Sequence, residues 1–519
     1  MWRPLAVGLC ALVAACSSGK AENRAESAPP PTEEEKKPSP SIDDPIDWSS
    51  CSLVPDANDY KAQCAIAHVP LDHADPMGAT IPIALKRIAA KEKPRGTVWL
   101  LDGGPGSSAT RRLASLAGQL PDLVKDLDFI TLDHRGVGGS ERLGCPQEDA
   151  TSEEGAKITE NEWPSCILAV EQKWGPKLAH FSTTAAARDL GHLIARYQRG
   201  IQRTFVWGGS YGAYLALRYM HLFPKQPDGV ILEGIAGPDL DFTRHSADMN
   251  EVGKEYFARC AADATCSEKL GPDPFATARD VVTSLDEGHC KALQRSSARM
   301  RSFLGGLLSF ESIRIAIAPL VYRTKRCSAA DVTAIQNLFG FFLEGTSAPY
   351  DSEALFHQVT LAEFWRPPGM TVDAAKAELA TLTTATALTL DVARIAPGWP
   401  AALAKPDDLH GKLPEFDKPL LMLQGGLDPQ TPAKYSEPLR AKYTGTNQTY
   451  ALFPDATHVP TSGTTTKSTQ SSCALSLYTQ FVTEPSAPLD TSCVADLEPI
   501  SFMTQGDALA LFGTSDPWD

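Results

Sequence analysis

Long apolar runs are almost absent from this sequence. Residues 5–15 form one of about a dozen residues, whereas a bilayer-spanning helix takes about 20. The next best stretch, 302–322, is interrupted by Glu311 and Arg314, so no transmembrane helix is expected. Basic residues are outnumbered: 48 Lys and Arg stand against 63 Asp and Glu, a net charge of −15. That balance, with no cluster of Lys and Arg, excludes nucleic acid as a partner. There is no C-x₂-C pair and no histidine at ligand spacing from a cysteine, so a zinc site is not expected. No G-x-G-x-x-G occurs and no lysine sits at P-loop spacing, which removes a phosphate cradle. With 43% apolar and 21% charged residues, the chain still has ample material for a buried core. Its 519 residues suit several ordinary domains or one large α/β domain carrying an insertion.

The apolar run near the start follows Arg3 and reads as a secretory h-region. It ends in Val13-Ala14-Ala15-Cys16, which resembles the lipobox of bacterial lipoproteins. That resemblance implies removal of residues 1–15 and acylation of Cys16, anchoring an exported protein to a bacterial membrane, periplasmic or at the cell surface. The alternative is an ordinary signal peptide in which Cys16 is incidental. Residues 16–47, rich in Pro, Glu, Ser and Lys and poor in aliphatics, read as a disordered tether. Ten cysteines remain once Cys10 and Cys16 are set aside, and an even number in an exported chain points to disulfides. Spacing alone leaves the connectivity open. Pairing of sequence neighbours is the expectation taken here: Cys51–Cys64, Cys145–Cys166, Cys260–Cys266, Cys290–Cys327 and Cys473–Cys493.

Hairpin strands are expected near 62–70 and 79–89. Short, nearly continuous apolar runs follow at 97–101, 129–132, 204–207, 229–232, 420–423 and 449–453. Runs of that kind are strands buried on both faces, as in a parallel sheet. Between them lie helical patterns, for example Leu190, Leu193, Ile194 and Tyr197. The fold class is therefore α/β, with a doubly wound, mostly parallel sheet. Residues 241–410 are helical in pattern without a comparable strand run, and read as a cap inserted into the sheet domain. The expected organisation is a signal peptide 1–15, tether 16–47, core 48–240, helical cap 241–410, and second part of the core 411–519.

Chemistry concentrates at four strand ends. Gly208-Gly209-Ser210-Tyr211-Gly212 is a G-x-S-x-G motif between a strand and a helix, the setting of a nucleophile elbow. A serine hydroxyl needs a base, and the base needs a carboxylate to fix its tautomer. His458 lies in a loop after the last strand, and Asp428 follows the strand near 420–423. Thr431-Pro432 beside Asp428 reads as a helix cap that would stiffen the loop. The order Ser210, Asp428, His458 is that of α/β-hydrolases. Gly103-Gly104-Pro105-Gly106, after the strand 97–101, suits an oxyanion hole. Gly104, or less securely Gly103, would supply one donor and Tyr211 the other.

Gly103-Gly104-Pro105-Gly106-Ser107-Ser108, the Asp133–Ser140 segment, the serine motif and Asp428-Pro429-Gln430-Thr431-Pro432 together resemble the proline-iminopeptidase and secreted tripeptidyl-aminopeptidase branch of the α/β-hydrolases. The resemblance covers about 50–240 and 400–500. It implies an α/β-hydrolase fold, a Ser210–Asp428–His458 triad, an oxyanion hole at 103–106, and removal of residues or short peptides from free peptide N-termini. It implies no metal or organic cofactor. Two positions depart from the family pattern: Asp102 stands where many relatives have His, and Val459 follows the histidine where many have Gly. Asp133 and Arg135 read as structural. Glu233, at the end of the strand 229–232, is a candidate to bind the substrate's α-amine, against a plain local ion pair. Two other functions compete: a carboxylic-ester hydrolase with the same triad, and an inactive surface protein that binds peptides or cell-wall components. The oligomeric state is left open.

Overall fold

The computed structural model describes residues 45–54, 57–149, 151–152, 157–197, 203–343, 351–400, 406–502 and 505–519. The expected signal peptide, Cys16 and nearly all of the tether lie outside the described residues. Strands β1 (Ser49–Val54), β2 (Ala57–Pro70), β3 (Thr80–Ile88), β4 (Gly96–Leu101), β5 (Leu127–Leu132), β6 (Thr204–Gly209), β7 (Gly229–Glu233), β8 (Leu420–Gly425) and β9 (Gln448–Phe453) form one sheet. Their order across it is β1-β2-β3-β5-β4-β6-β7-β8-β9. Pairing is antiparallel from β1 to β3 and between β3 and β5, and parallel from β5 to β9.

The strands from β4 to β8 are buried along their whole length, as continuous apolar runs require when helices cover both faces. β9 is different: it is the edge strand, and only Ala451 and Phe453 are buried. β1 is a strand that periodicity did not disclose, because Ser-Ser-Cys-Ser carries no apolar alternation. Helices Thr183–Tyr197 and Tyr211–Leu222 pack on one face, with Leu190, Leu193, Ile194, Leu215 and Tyr219 fully buried.

Between β7 and β8 the chain is helical, from His245–Ala262 to Leu388–Ile395, with no strand among the described residues. This insertion has its own apolar cluster around Tyr256, Phe257, Leu304, Ile317, Ile335 and Leu338. The stretch 302–322 is broken into helices Ser297–Leu308, Glu311–Arg314 and Ile317–Arg326. Among the described residues no helix is long and apolar enough to cross a membrane. The end of the chain departs from the expected boundary. Residues 505–519 dock on the insertion, not on the sheet: Phe512 and Trp518 join its apolar cluster. The buried Arg323 guanidinium donates to the carbonyls of Pro517 (2.8 Å), Asp516 and Asp519 (both 2.7 Å). A buried arginine must have its donors satisfied, and the tail carbonyls do this.

Five disulfides join Cys51–Cys64, Cys145–Cys166, Cys260–Cys266, Cys290–Cys327 and Cys473–Cys493. Each closes a short local loop, and bridges of this kind typically contribute about 2–4 kcal/mol.

The insertion is stitched to the core through residues 352–364. Ser352 donates its N–H to the Gly106 carbonyl at 2.8 Å and its hydroxyl to the Leu143 carbonyl. Ala354 N–H donates to the buried Glu148 carboxylate at 2.7 Å. Burial pushes the Glu148 carboxyl up to about 7, against the opposing pull of the Ala354 N–H and the Arg142 guanidinium. The folded state thus holds a proton that the unfolded chain releases near the ordinary carboxylate value of about 4.3. The contribution to stability is fully present below that value and is lost as pH rises through about 7. Replacing Glu148→Gln is expected to flatten the fall in Tm between pH 4.5 and 8, measured by thermal unfolding; a variant with the same slope as the native chain would contradict the assignment.

Candidate active site

Ser210, Asp428 and His458 follow the carboxyl ends of the parallel strands β6, β8 and β9. That is the rim where open α/β sheets present reactive groups. Ser210 sits between β6 and the helix Tyr211–Leu222 at φ 57, ψ −127, a conformation that side chains rarely adopt. The turn is possible because its flanks carry no Cβ. A Cβ on Gly208 would lie 2.2 Å from the Gly212 carbonyl oxygen, and one on Gly212 would lie 2.2 Å from that of Leu101. Ser210 N–H donates to the Glu233 carbonyl at 2.9 Å, tying the elbow to β7.

The Asp428 side chain has no solvent exposure, and that of His458 is 9% exposed. His458 Nδ1 lies 2.8 Å from Asp428 Oδ2. The other carboxylate oxygen accepts the N–H groups of Gln430 and Thr431, each at 2.9 Å. Thr431 Oγ1 donates to Asp428 Oδ2 at 2.7 Å and also lies 3.2 Å from His458 Nδ1. Gln424 Nε2 reaches the same carboxylate at 3.3 Å. Nδ1 is therefore the protonated nitrogen, which leaves Nε2 free to accept. Ser210 Oγ and His458 Nε2 do not share a hydrogen bond in this structure; catalytic hydrogen bonds are often long or poorly aligned when no substrate is bound. The His458 ring nevertheless lies over Gly234, just beyond β7, where a Cβ would come within 3.1 Å of it. Ser210 and Thr431 also line one cavity.

The glycine loop after β4 faces the nucleophile. A Cβ on Gly103 would stand 2.7 Å from Ser210 Cβ and 2.9 Å from Oγ, so any side chain there displaces the hydroxyl. Gly103 N–H is committed to Asp102 Oδ1 at 2.9 Å. This excludes Gly103 as an oxyanion donor and leaves Gly104, whose N–H has no partner among the described residues. Tyr211 N–H, the first of its helix, is equally uncommitted. Asp102 is pushed up by burial, with Arg112 and the Gly103 N–H pulling it back. Downstream, Ser108 Oγ donates to Asp133 at 2.5 Å, and the Arg135 guanidinium is buried against Asp189 with two contacts of 2.7 Å. Those two residues brace loops and do not face the nucleophile.

Glu233 does not fit the amine-binding expectation. Its side chain is fully buried, paired with Arg112 at 2.9 Å, and its second oxygen accepts the Thr461 N–H at 2.5 Å. Arg112 also stacks over Trp207 at 4.5 Å. With both oxygens committed and no surface facing the cavity, Glu233 ties the His458 loop to β7. The ion pair that stood as the alternative for Glu233 is what the structure shows; sequence reading missed the Thr461 tie, and also the hydroxyl of Thr431, which it read only as a helix cap. It missed His245 too, a buried imidazole in the cavity wall with no motif around it.

A family model described as the alpha/beta hydrolase fold matches residues 96–263, and one described as TAP-like protein matches 393–493. Serine protease Hip1 of Mycobacterium tuberculosis is 30% identical over 266 residues, covering 47% of this chain and 50% of that protein. Tripeptidyl aminopeptidase of Streptomyces lividans is 29% identical over 228 residues, covering 40% and 41%. Carboxylesterase B of M. tuberculosis is 26% identical over 247 residues, covering 44% and 47%. The chain thus spans about half the length of the curated relatives it matches.

Two substitutions check the geometry. Thr431→Val keeps the shape but removes the hydroxyl shared by Asp428 and His458. It is expected to lower kcat about 10- to 100-fold, the value of a hydrogen bond to a charged group. Glu233→Gln is expected to lower Tm and to reduce turnover of a free-amine peptide arylamide and of a short acyl ester by the same factor. A loss confined to free-amine substrates would restore the amine-binding role.

Proposed function

This chain is an α/β-hydrolase with a TAP-like carboxyl-terminal segment, and we propose that it is an exported serine hydrolase that removes residues or short peptides from peptide N-termini. The observation that carries the reading is the buried Asp428 carboxylate 2.8 Å from His458 Nδ1, at the same sheet rim as the strained Ser210. Ser210 Oγ attacks the scissile carbonyl while His458 Nε2 takes its proton. The oxyanion of the tetrahedral intermediate sits on the N–H groups of Gly104 and Tyr211. Each such donor is worth about 2.7–4 kcal/mol of barrier lowering. His458 then hands the proton to the leaving amine, and a water activated by the same imidazole releases the acyl group and regenerates the hydroxyl.

Peptide over ester substrates is supported by the TAP-like match and by the names of the serine protease and aminopeptidase relatives. The carboxylesterase relative keeps an ester hydrolase as the second reading. The helical insertion serves as the cap, a role supported by its contacts with Gly106 and Leu143 beside the oxyanion loop. Five disulfides support export to an oxidising compartment. Anchoring through Cys16 completes the reading on sequence grounds.

A fluorophosphonate probe is expected to label the native protein and not Ser210→Ala. Aminoacyl- or tripeptidyl-arylamides with free amines should be cleaved, and blocking the amine should abolish turnover. Labelling with hydrolysis of short acyl esters only would favour the esterase; no labelling of a folded protein would leave a binding protein.

A further inference from the structure

A cavity of about 250 Å³ opens beside Ser210, Tyr211 and Gly104. It is smaller than the ~300–1,000 Å³ of sites that enclose a whole small-molecule ligand, and suits one side chain with its backbone. Its walls are Ala236, Leu240, Phe242, Phe356, Phe364 and Leu388, all apolar. The polar groups in the lining are mostly committed. Thr431 Oγ1 donates to Asp428, and the Tyr211 hydroxyl shares a 2.9 Å hydrogen bond with Thr183.

Besides the nucleophile, two side chains in the lining are not committed, the half-buried Gln430 amide and the buried His245 imidazole, and His245 is the one whose burial makes pairing matter. It is the first residue of the helix His245–Ala262, 8% exposed, with its ring 5.3 Å from that of Phe242. Nδ1 is buried without a partner, and neither ring nitrogen bonds to a described residue. Nδ1 is sealed from the cavity, whereas Nε2 is not, and an unpaired polar group costs about 1–3 kcal/mol, so a bound group that pairs with Nε2 is favoured. Burial pushes the imidazole down to about 4, against the opposing pull of Asp248 and Asp428 and with a smaller push from His458. At neutral pH it therefore carries one N–H donor and one bare acceptor nitrogen. In either tautomer Nε2 can pair with a peptide backbone, donating to a carbonyl or accepting from an N–H.

We propose that His245 hydrogen-bonds the backbone of the bound peptide, in a slot that selects an uncharged, apolar side chain for the residue whose carbonyl Ser210 attacks. The inference rests on the peptidase reading above. A lysine or arginine side chain entering this slot meets no carboxylate, and an acidic one no cation, since no Asp, Glu, Lys or Arg lines it. Burying such a charge without a partner is far costlier than burying Leu or Phe.

The test uses tripeptidyl p-nitroanilides with free amines that differ only in the residue before the scissile bond: Leu, Phe, Lys or Glu. p-Nitrophenyl acetate serves as an ester with no peptide group. Leu and Phe are expected to exceed Lys and Glu by about 100-fold in kcat/KM. His245→Ala should lose about tenfold more on the Leu substrate than on the acetate, with Ser210 still labelled by a fluorophosphonate. Leu388→Glu, at a half-buried position in the wall, should raise the Lys-to-Leu ratio about tenfold. Equal use of charged and apolar residues overturns the proposal while leaving the peptidase reading standing. An unchanged Leu substrate in His245→Ala, or an equal loss on peptide and acetate, also overturns it, the latter by marking the residue as structural. Labelling and acetate turnover without cleavage of any peptide removes the peptidase reading and this inference with it.

Discussion

The site is organised by the cost of burying one carboxylate. Asp428 has no contact with solvent, and an ionised group in that position is tolerated only when its lone pairs are filled. Two backbone N–H groups, a threonine hydroxyl, a glutamine amide and an imidazole fill them. The donors come from β8 itself (Gln424), from the loop after it (Gln430 and Thr431) and from the loop after β9 (His458), so satisfying the charge sets both loops at once. The ring of His458 is oriented as a by-product: with Nδ1 held by Asp428, Nε2 must face away from the carboxylate. Proton transfer at the rim of the sheet thus depends on an electrostatic constraint one layer below it.

Chemistry and selection are carried by different parts of the chain. The nucleophile, its proton acceptor and the oxyanion donors belong to loops at the ends of sheet strands. Most of the apolar wall facing them comes from the segment after β7 and from the insertion. The two are locked together by a buried polar contact: Glu363 of the insertion accepts from Arg218 at 3.0 Å and from the Tyr214 hydroxyl at 2.9 Å. Both partners lie on the helix that begins next to Ser210. A shift of the insertion would therefore strain the helix that fixes the nucleophile. Division of this kind lets the insertion vary in sequence while the sheet rim stays constant.

Much of this was legible before any coordinates, and the reason is physical. A strand buried on both faces must be apolar throughout, so β4 to β8 announce themselves as short continuous runs. A serine on a sharp strand-to-helix turn needs glycines at fixed offsets, so Gly208 and Gly212 mark it. What stayed hidden depends on contacts between residues far apart in sequence. Nothing near Arg112 or Thr461 reveals that both meet Glu233, and an acid at a strand end reads equally well as a ligand for an amine. The docking of the last fifteen residues on Arg323 is invisible for the same reason, since main-chain carbonyls carry no sequence pattern. His245 was hidden in another way: its importance lies in the partner it lacks, which only burial can show.

The Glu233 tie also accounts for an irregularity beside the histidine. Val459 adopts φ 63, ψ 79, a left-handed conformation that a β-branched residue avoids and that costs about 1–3 kcal/mol. Glycine would take it without strain. The turn Pro460–Ser462 follows at once, and Thr461 within it is bound through its N–H to Glu233 and through its hydroxyl to Arg112 at 3.1 Å. On the other side of Val459, His458 is bound to Asp428. The valine is thus stretched between two buried carboxylates, one at the end of β7 and one in the loop after β8, and its backbone has no freedom to relax without breaking a charged contact. Strain at Ser210 is held in the same manner, between β6 and the helix it precedes. In both cases the residue lies in, or next to, a backbone conformation that its surroundings impose, through buried charged contacts at Val459 and through the strand and helix on either side at Ser210.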